Sequence, residues 1–299
     1  MFRSRRIHRS VVGLLLLSAV CGSYLFGQTP QAGKVERGSQ TAKAGFKNED
    51  DIRDKFNNWL EDADARAWLA AMNYKLADIE SVRAAKPHGE KADVVVRIRM
   101  VKQPEQEKPG RPQSRKDAEK NQDETVETAE GISIKLVSSP NGFNQIDKRW
   151  LASYAKKWNM PVDVVAALKL YLGEAPPNKP SRDRRRMFLN ELEPAQQTAV
   201  IDFFAANKEM IVSDLIEGDG VDAATWMMVA FKATDKPRWV IKSSREAVRH
   251  FAEGKVEMTR AGNLKIGRIT MQRKGGDGGR ETANMLQFKI NPMHLIDAK

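Results

Sequence analysis

Two charged side chains belong to apolar runs that are typical of buried strands: Asp93 borders one run, and Lys135 lies within another. Asp93 directly precedes Val94-Val95-Val96, and Lys135 lies inside the run GISIKLV. If the two runs pair as a hairpin, the carboxylate and the amine meet at one end of a sheet. A carboxylate can bind Mg²⁺, and a lysine can orient or activate a nearby water. Together they suit hydrolysis of a phosphodiester.

Both residues also have an ordinary structural interpretation. Asp93 could cap its strand, and Lys135 could be one more surface lysine. The neighbours of Lys135 favour the chemical interpretation, because an amine on a mostly apolar strand is costly to bury without an anionic partner. Cys21 is the one cysteine and the four histidines are scattered. The sequence therefore offers no disulfide, no cysteine chemistry and no histidine-rich metal site.

Three short blocks, in the order KADVVV, ISIK and GFNQIDKRW, resemble the PD-(D/E)XK nuclease superfamily, and within it the type II restriction endonucleases. The resemblance covers residues 46–160. It implies a core made of a helix, a three-stranded meander and a flanking helix. It also implies that Asp93 binds Mg²⁺ as the cofactor and that Lys135 is the motif lysine.

The chain departs from the family pattern at two positions. Ala92 stands where the motif proline is expected, which is a common variation, and Ser133 stands where a second acid is expected. One metal ligand must therefore come from elsewhere or be replaced by the serine hydroxyl. We expect Ser133 to assist and Glu80, on the preceding strand, to be the second acid at the metal. The other acids, in order of preference, are Glu90 and then Glu49 or Glu61.

The third block also predicts contacts with DNA. By the resemblance, it begins the helix that follows the core, where polar side chains support the site or touch the DNA backbone. The residues expected to do so are Asn144, Gln145, Lys148 and Arg149. For Asn144, a turn or helix-cap role is an equal alternative.

A second candidate DNA contact lies near the C-terminal end, in residues 262–292. Two strand-like runs there flank the turn-forming segment GGDGG. Alternation places apolar side chains on one face and amides and cations on the other, and such side chains pair with base edges in the major groove. The alternative is an ordinary solvated hairpin. The predicted contacts are Arg268, Gln272, Arg273, Lys274, Arg280, Asn284, Gln287 and Lys289.

The remaining patterns predict an α/β fold of the α+β type, with a helical middle and a strand-rich basic C-terminal part. Strands are expected at 74–82, 92–100, 131–137, 238–242, 256–259, 264–274 and 285–291. Helices are expected at 48–72 in two pieces, 147–158, 161–172, 194–216, 222–233 and 244–252. The expected domains are a leader and linker (1–45), a nuclease core (46–160) with a solvated insertion (102–130), a helical region (161–237) and a basic strand-rich region (238–299).

The positive charge is concentrated at the two ends of the chain. The whole chain carries 50 basic and 39 acidic residues, a net charge of +11. Residues 1–45 have seven basic and one acidic residue, and residues 238–299 have 13 and six. The first end resembles a secretory signal, since arginines precede the apolar run 11–26. We expect a cytoplasmic protein, and the segment 1–27 is the main contrary sign: either the protein is exported or anchored, or translation starts downstream of Met1.

The resemblance implies a Mg²⁺-dependent type II restriction endonuclease that cuts double-stranded DNA at a specific sequence. It also implies a homodimer, with a cognate DNA methyltransferase as genetic partner rather than bound subunit. A repair or junction nuclease of the same superfamily is the first alternative. The second is a non-enzymatic exported basic binding protein, which the leader favours.

Overall fold

The computed structural model describes residues 30–89, 91–101, 125–221, 223–232, 237–276 and 280–297. The signal-like leader, Cys21, Glu90 and most of the predicted insertion at 102–130 lie outside the described residues. Two five-stranded sheets and the helices around them make up the fold, which confirms the predicted mixed α+β class.

The strands fall into two sheets, ordered β1-β2-β3-β5-β6 and β4-β10-β9-β8-β7. In the first sheet, β1, β2 and β3 form an antiparallel meander, and β5 joins β3 in parallel. Neighbouring strands of the second sheet are all antiparallel. The strands are β1 (Ile79–Ala85), β2 (Val94–Val101), β3 (Thr125–Val137), β4 (Asn144–Arg149), β5 (Trp226–Phe231), β6 (Arg238–Ser243), β7 (Val256–Met258), β8 (Leu264–Ile266), β9 (Ile269–Arg273) and β10 (Leu286–Ile290).

The first helix packs on the meander through a stripe at helical spacing, Asn48, Ile52 and Phe56, so the predicted arrangement of helix and meander is present. None of the described helices is both long enough and apolar enough to cross a membrane. The helices are α1 (Pro30–Asn57), α2 (Ala63–Ala71), α3 (Leu151–Lys157), α4 (Val162–Leu172), α5 (Pro194–Ala206), α6 (Lys208–Ile216), α7 (Ser244–Ala252) and α8 (Met293–Ile296).

The larger hydrophobic core joins the second sheet to the helices that follow β4. At its centre, the ring of Trp158 stacks on Tyr154 with centroids 4.5 Å apart and meets Phe288 of β10 edge-on at 5.6 Å. The Trp158 indole nitrogen donates to the Asp214 carboxylate at 2.8 Å, which satisfies a polar group that would otherwise be buried unpaired. These contacts fix α3 and α6 against the second sheet.

The prediction of a helix at 222–233 is wrong, because residues Trp226–Phe231 form β5 in the middle of the first sheet. The run WMMVAF is buried on both faces, between β3 and β6. A continuous apolar run carries neither the period of a helix nor that of a strand, so its pattern cannot decide between them.

The predicted insertion at 102–130 overlaps the fold at its C-terminal end. Residues 125–130 form the first part of β3 and pair with the far part of β2, with Glu130 opposite Val96. This part of β3 has a strand on one side only, because β5 pairs with residues 132–137. Its partial exposure explains why its sequence is polar and charged.

Candidate active site and nucleic-acid interface

The structure brings Asp93 and Lys135 together at one end of the β2–β3 ladder. The Asp93 backbone N–H donates to the Ile132 carbonyl at 2.9 Å, which continues the ladder by one residue beyond Val94. The Asp93 Oδ2 atom accepts from the backbone N–H of Ile134 at 2.6 Å and lies 3.6 Å from Lys135 Nζ. The backbone of β3 therefore holds the carboxylate beside the ammonium group.

Ser133 lies between these two charged groups and is almost completely buried. Lys135 Nζ donates to Ser133 Oγ at 2.9 Å and to the Ile134 carbonyl at 3.1 Å. The Ser133 hydroxyl can in turn donate to Asp93 Oδ2, 3.4 Å away. The serine thus orients the lysine, but it brings no negative charge to the position where the family pattern has an acid.

The structure does not bring Glu80 to this cluster. In the register of β1 and β2, Ala85 pairs with Val95 near Asp93, whereas the neighbours of Glu80 pair with Arg99 and Met100 at the opposite end. At about 3.3 Å per residue, this places Glu80 about 20 Å from Asp93. Its side chain is also exposed. The expectation that Glu80 supplies the second acid therefore needs correction.

Glu49, on α1, is an acid on which the charges of both Asp93 and Lys135 act. Burial raises the pKa of the Glu49 carboxyl, and the negative charge of Asp93 raises it further, while Lys86 and Lys135 oppose these effects. Glu49 Oε2 lies 3.0 Å from Lys86 Nζ, and the side chain is only 17% exposed. Asp93 and Lys135 both contribute to this shift, so the Glu49 carboxyl lies within electrostatic range of the two groups.

Asn48 precedes Glu49 and is 2% exposed. Neither polar atom of its side chain has a hydrogen-bond partner within the described part of the chain. An unpartnered buried amide costs free energy. Asn48 therefore lowers the stability of the fold at its place in α1. The sequence does contain a sign that Glu49 lies near the sheet. It is adjacent to Asn48, which belongs with Ile52 and Phe56 to the stripe of α1 that faces the sheet.

The donor set suits a hard cation that keeps several waters. Asp93, Glu49 and Ser133 offer oxygen atoms only, which is the ligand type that Mg²⁺ prefers, and one or two carboxylates are typical for it. Across the described ranges, no group of three or more His, Cys, Asp or Glu side chains is placed to hold a metal ion. The chemistry of the donor set, with oxygen atoms from two carboxylates, is of the kind that fits Mg²⁺.

The block expected to begin a helix forms β4, at the edge of the second sheet. Gln145 pairs with Lys289 of β10, and Lys148 pairs with Gln287, so Ile146 and Asp147 fill a space where regular pairing would need one residue. The register shift is a β-bulge, and it puts Gln145 and Lys148 on the same face although they are three residues apart.

Amides and lysines from three strands line that face. Gln287 Nε2 donates to Gln145 Oε1 at 2.5 Å, and Gln272 Nε2 donates to Gln287 Oε1 at 3.3 Å. No acid of the described residues lies within ion-pair distance of Lys148 or Lys289. We call this side of the sheet the amide face, and its residues are Gln145, Lys148, Gln272, Lys289 and the buried Gln287, which bonds to the other two glutamines.

Lys274 and Arg280 lie close to Lys148, at the end of the amide face. Burial lowers the pKa of the Lys274 amine, and the positive charges of Lys148 and Arg280 lower it further. Basic side chains are therefore gathered at this end of the amide face.

The other predicted DNA contacts make internal bonds instead. Arg149 pairs with Asp147 at 2.8 Å and with Asp214 at 3.4 Å. Arg273 donates to the Leu172 carbonyl at 2.8 Å and to Asn284 at 2.6 Å. Arg149 and Arg273 alternate away from the amide face. Two further predicted contacts are also bonded within the chain: Asn144 donates to the Leu136 carbonyl, and Arg268 pairs with Glu253 on the surface.

Comparisons with known proteins found a matching family model and a similar fold. A family model described as R.HinP1I restriction endonuclease matches residues 121–296, more than half of the chain. A crystal structure of restriction endonuclease MspI in complex with its cognate DNA is similar in fold, with a TM-score of 0.50, 12% identity and coverage of 79% of this chain and 80% of that chain. No curated protein matches the sequence. The range matched by the family model includes Ser133, Lys135 and the amide face.

Proposed function

Because the chain belongs to the R.HinP1I restriction endonuclease family, we propose that it hydrolyses double-stranded DNA at a specific sequence in a Mg²⁺-dependent reaction of the type II kind. The observation that carries this proposal is the contact of Lys135 with Asp93, 3.6 Å apart, with the partly buried carboxyl of Glu49 within electrostatic range of both. A carboxylate pair next to a lysine is what metal-assisted phosphodiester hydrolysis requires.

In this proposal, Asp93 and Glu49 hold Mg²⁺, which when bound polarises the phosphate and makes water more acidic. Lys135 donates to the attacking water or to a phosphate oxygen with the one N–H that Ser133 and Ile134 leave over. Ser133 keeps the amine in place, and the backbone N–H of Ile134 keeps Asp93 in place. The strand β3 thus orients both groups before DNA arrives, which reduces the reorganisation needed in the transition state.

Double-stranded DNA is the proposed substrate, and the amide face is the proposed surface that reads it. Glutamine side chains form paired hydrogen bonds with adenine edges, and lysines contact guanine or phosphate. The three glutamines bond to one another, which fixes their direction before binding. The cation group of Lys148, Lys274 and Arg280 is suited to phosphate at the edge of this surface.

Lys148→Ala is expected to weaken binding of all duplexes by a similar factor and to lower the slope of log K against log salt by about one. The reason is that Lys148 would neutralise one phosphate, whatever the base sequence. Fluorescence anisotropy with a labelled duplex at several salt concentrations measures both quantities. Lys179→Ala is the control, since Lys179 pairs with Glu193 on the exposed surface. An unchanged slope for Lys148→Ala would contradict the phosphate contact.

The proposed function is tested by incubating the purified protein, without residues 1–29, with a plasmid in Mg²⁺ or in EDTA. Discrete fragments in Mg²⁺ and intact plasmid in EDTA are expected. Cutting of branched DNA without discrete fragments from linear duplex would favour a repair or junction nuclease. Tight binding with no cutting in any divalent cation would favour a non-enzymatic binding protein.

A homodimer follows if the recognised sequence is palindromic, because a two-fold site is matched by a two-fold protein. Sedimentation of the protein with a palindromic duplex should then show two chains per duplex. A cognate DNA methyltransferase encoded nearby is the expected genetic partner, since the host's own DNA needs protection. Because such an enzyme would act on DNA inside the cell, the proposed location is the cytoplasm.

A further inference from the structure

Lys91 is a buried lysine that neither the proposed cleavage site nor the amide face uses. Its side chain is 14% exposed. Its ammonium group donates to the Ile146 carbonyl at 2.8 Å and to the Leu215 carbonyl at the end of α6, and it lies 3.5 Å from Asp147 Oδ2. Three acceptors for three N–H groups are what makes the burial of an ammonium tolerable.

The position of Lys91 in the chain is as specific as its contacts. It stands two residues before Asp93, separated by the buried Ala92. A Cβ atom on Gly218 would come within 2.8 Å of the Lys91 Cβ atom, so the stem of the lysine passes close to a bare glycine. The start of β2 is therefore fixed against the segment that follows α6.

The Ile146 carbonyl belongs to the bulge in β4. Pairing with β10 passes from Gln145 directly to Asp147, so the backbone of Ile146 has no residue opposite it. A bulge leaves the ladder locally disrupted and needs other partners for its polar groups. Lys91 supplies such a partner to Ile146, and its charge also faces Asp147, the next residue of the bulge.

We propose that Lys91 is a positioning residue that holds the β4 bulge in register with Asp93, and so couples the DNA contacts of Gln145 and Lys148 to the cleavage site. The inference rests on the proposed function and deepens it. Without the ammonium group, β4 is free to pair regularly with β10, and regular pairing would turn either Gln145 or Lys148 to the opposite face. The contacts among Asp93, Ser133 and Lys135 join the start of β2 to β3 and do not involve Lys91.

Lys91→Met, which keeps the stem and removes the charge, tests the proposal. We expect KM for the cognate duplex to rise about tenfold or more, preference over duplexes with one changed base pair to fall by a similar factor, and kcat to change less than about threefold. Lys208→Met is the matched control, because Lys208 also donates to a backbone carbonyl, that of Gly254, but on the surface.

A double-mutant cycle separates positioning from general damage. In the Lys91→Met background, at least one of Gln145→Ala and Lys148→Ala should have little further effect on KM, because loss of the bulge turns one of the two side chains away. Lys289→Ala, on the neighbouring strand β10, should keep its full effect. Full additivity of both Gln145→Ala and Lys148→Ala, or an equal fall of kcat for all duplexes with KM unchanged, would overturn the proposal.

A second pair of variants serves if Lys91→Met does not fold. Gly218→Ala pushes against the Lys91 stem, whereas Gly220→Ala meets no atom within 4 Å, and both glycines have positive φ, +71° and +90°. The backbone strain is therefore matched. We expect KM to rise for Gly218→Ala relative to Gly220→Ala, and equal values would overturn the proposal.

Hydrogen exchange separates a failure of this inference from a failure of the proposed function. If the parent protein cuts no DNA, the proposed function fails. The effect of Lys91 on β4 can still be measured from the exchange rates of the backbone amides of residues 144–149. These amides should exchange faster in Lys91→Met than in Lys208→Met. Unchanged exchange there would overturn the role of Lys91 whether or not the protein is a nuclease.

Discussion

Asp93→Asn is expected to lower kcat/KM for duplex cleavage by about 10³-fold and to leave thermal unfolding nearly unchanged. Asparagine has the same shape and can still accept the hydrogen bond of the Ile134 N–H. It lacks the negative charge that would hold Mg²⁺ and that faces Lys135. Single-turnover cleavage of a labelled cognate duplex measures the effect.

Lys135→Ala should lower cleavage to a similar degree, and combining it with Asp93→Asn should add little, because residues that act as a unit are not additive. Asp202→Asn is the control, since it removes a carboxylate from the exposed surface of α5. Parent-like cleavage by Asp93→Asn at saturating Mg²⁺ would refute the assignment of the site.

The second large effect distinguishes two glutamates that sequence reasoning ranked in the opposite order. Glu49→Gln is expected to lower kcat/KM by about 10²-fold and to raise the Mg²⁺ concentration needed for half-maximal cleavage. Glu80→Gln should stay within about twofold of the parent, because an exposed side chain about 20 Å from Asp93 contacts neither metal nor DNA there. Mg²⁺ titrations of the cleavage rate compare the two.

Glu49 also pairs with Lys86, so its loss could act through that ion pair. Lys86→Met breaks the pair and keeps the Glu49 carboxylate. If Glu49 acts at the metal, Lys86→Met should retain the Mg²⁺ dependence of the parent. An equal loss in both variants would mean that the ion pair, and not a metal contact, explains the effect.

The contact of Asp93 with Lys135 was predictable because both residues border short apolar runs that must pair in order to be buried. Glu49 was ranked low because its nearness to Asp93 depends on how α1 lies on the sheet, and local sequence does not encode that angle. The apolar run of β5 has no period that could identify it as a strand. The position of Glu49 and the strand β5 both depend on packing between parts of the chain that are distant in sequence.

The prediction that the block containing β4 begins a helix failed for a different reason. A regular strand turns every second side chain to the same face, whereas Gln145 and Lys148 share a face at a spacing of three. Three is the spacing of neighbours on a helix surface, so the bulge makes the strand resemble a helix in sequence. Between them lie Ile146, which is buried, and Asp147.

The bond from Asn144 to the Leu136 carbonyl, 2.8 Å long, limits how far the cut can lie from the bases that are read. Lys135 and Gln145 each lie one residue beyond this bond, so at 3.8 Å per Cα step they are less than about 20 Å apart. With about 3.4 Å per base pair along the duplex, this span corresponds to roughly six base pairs. The proposed endonuclease is therefore built to cleave within or beside its recognition sequence, and a remote cut would need a separate cleavage module on a longer tether.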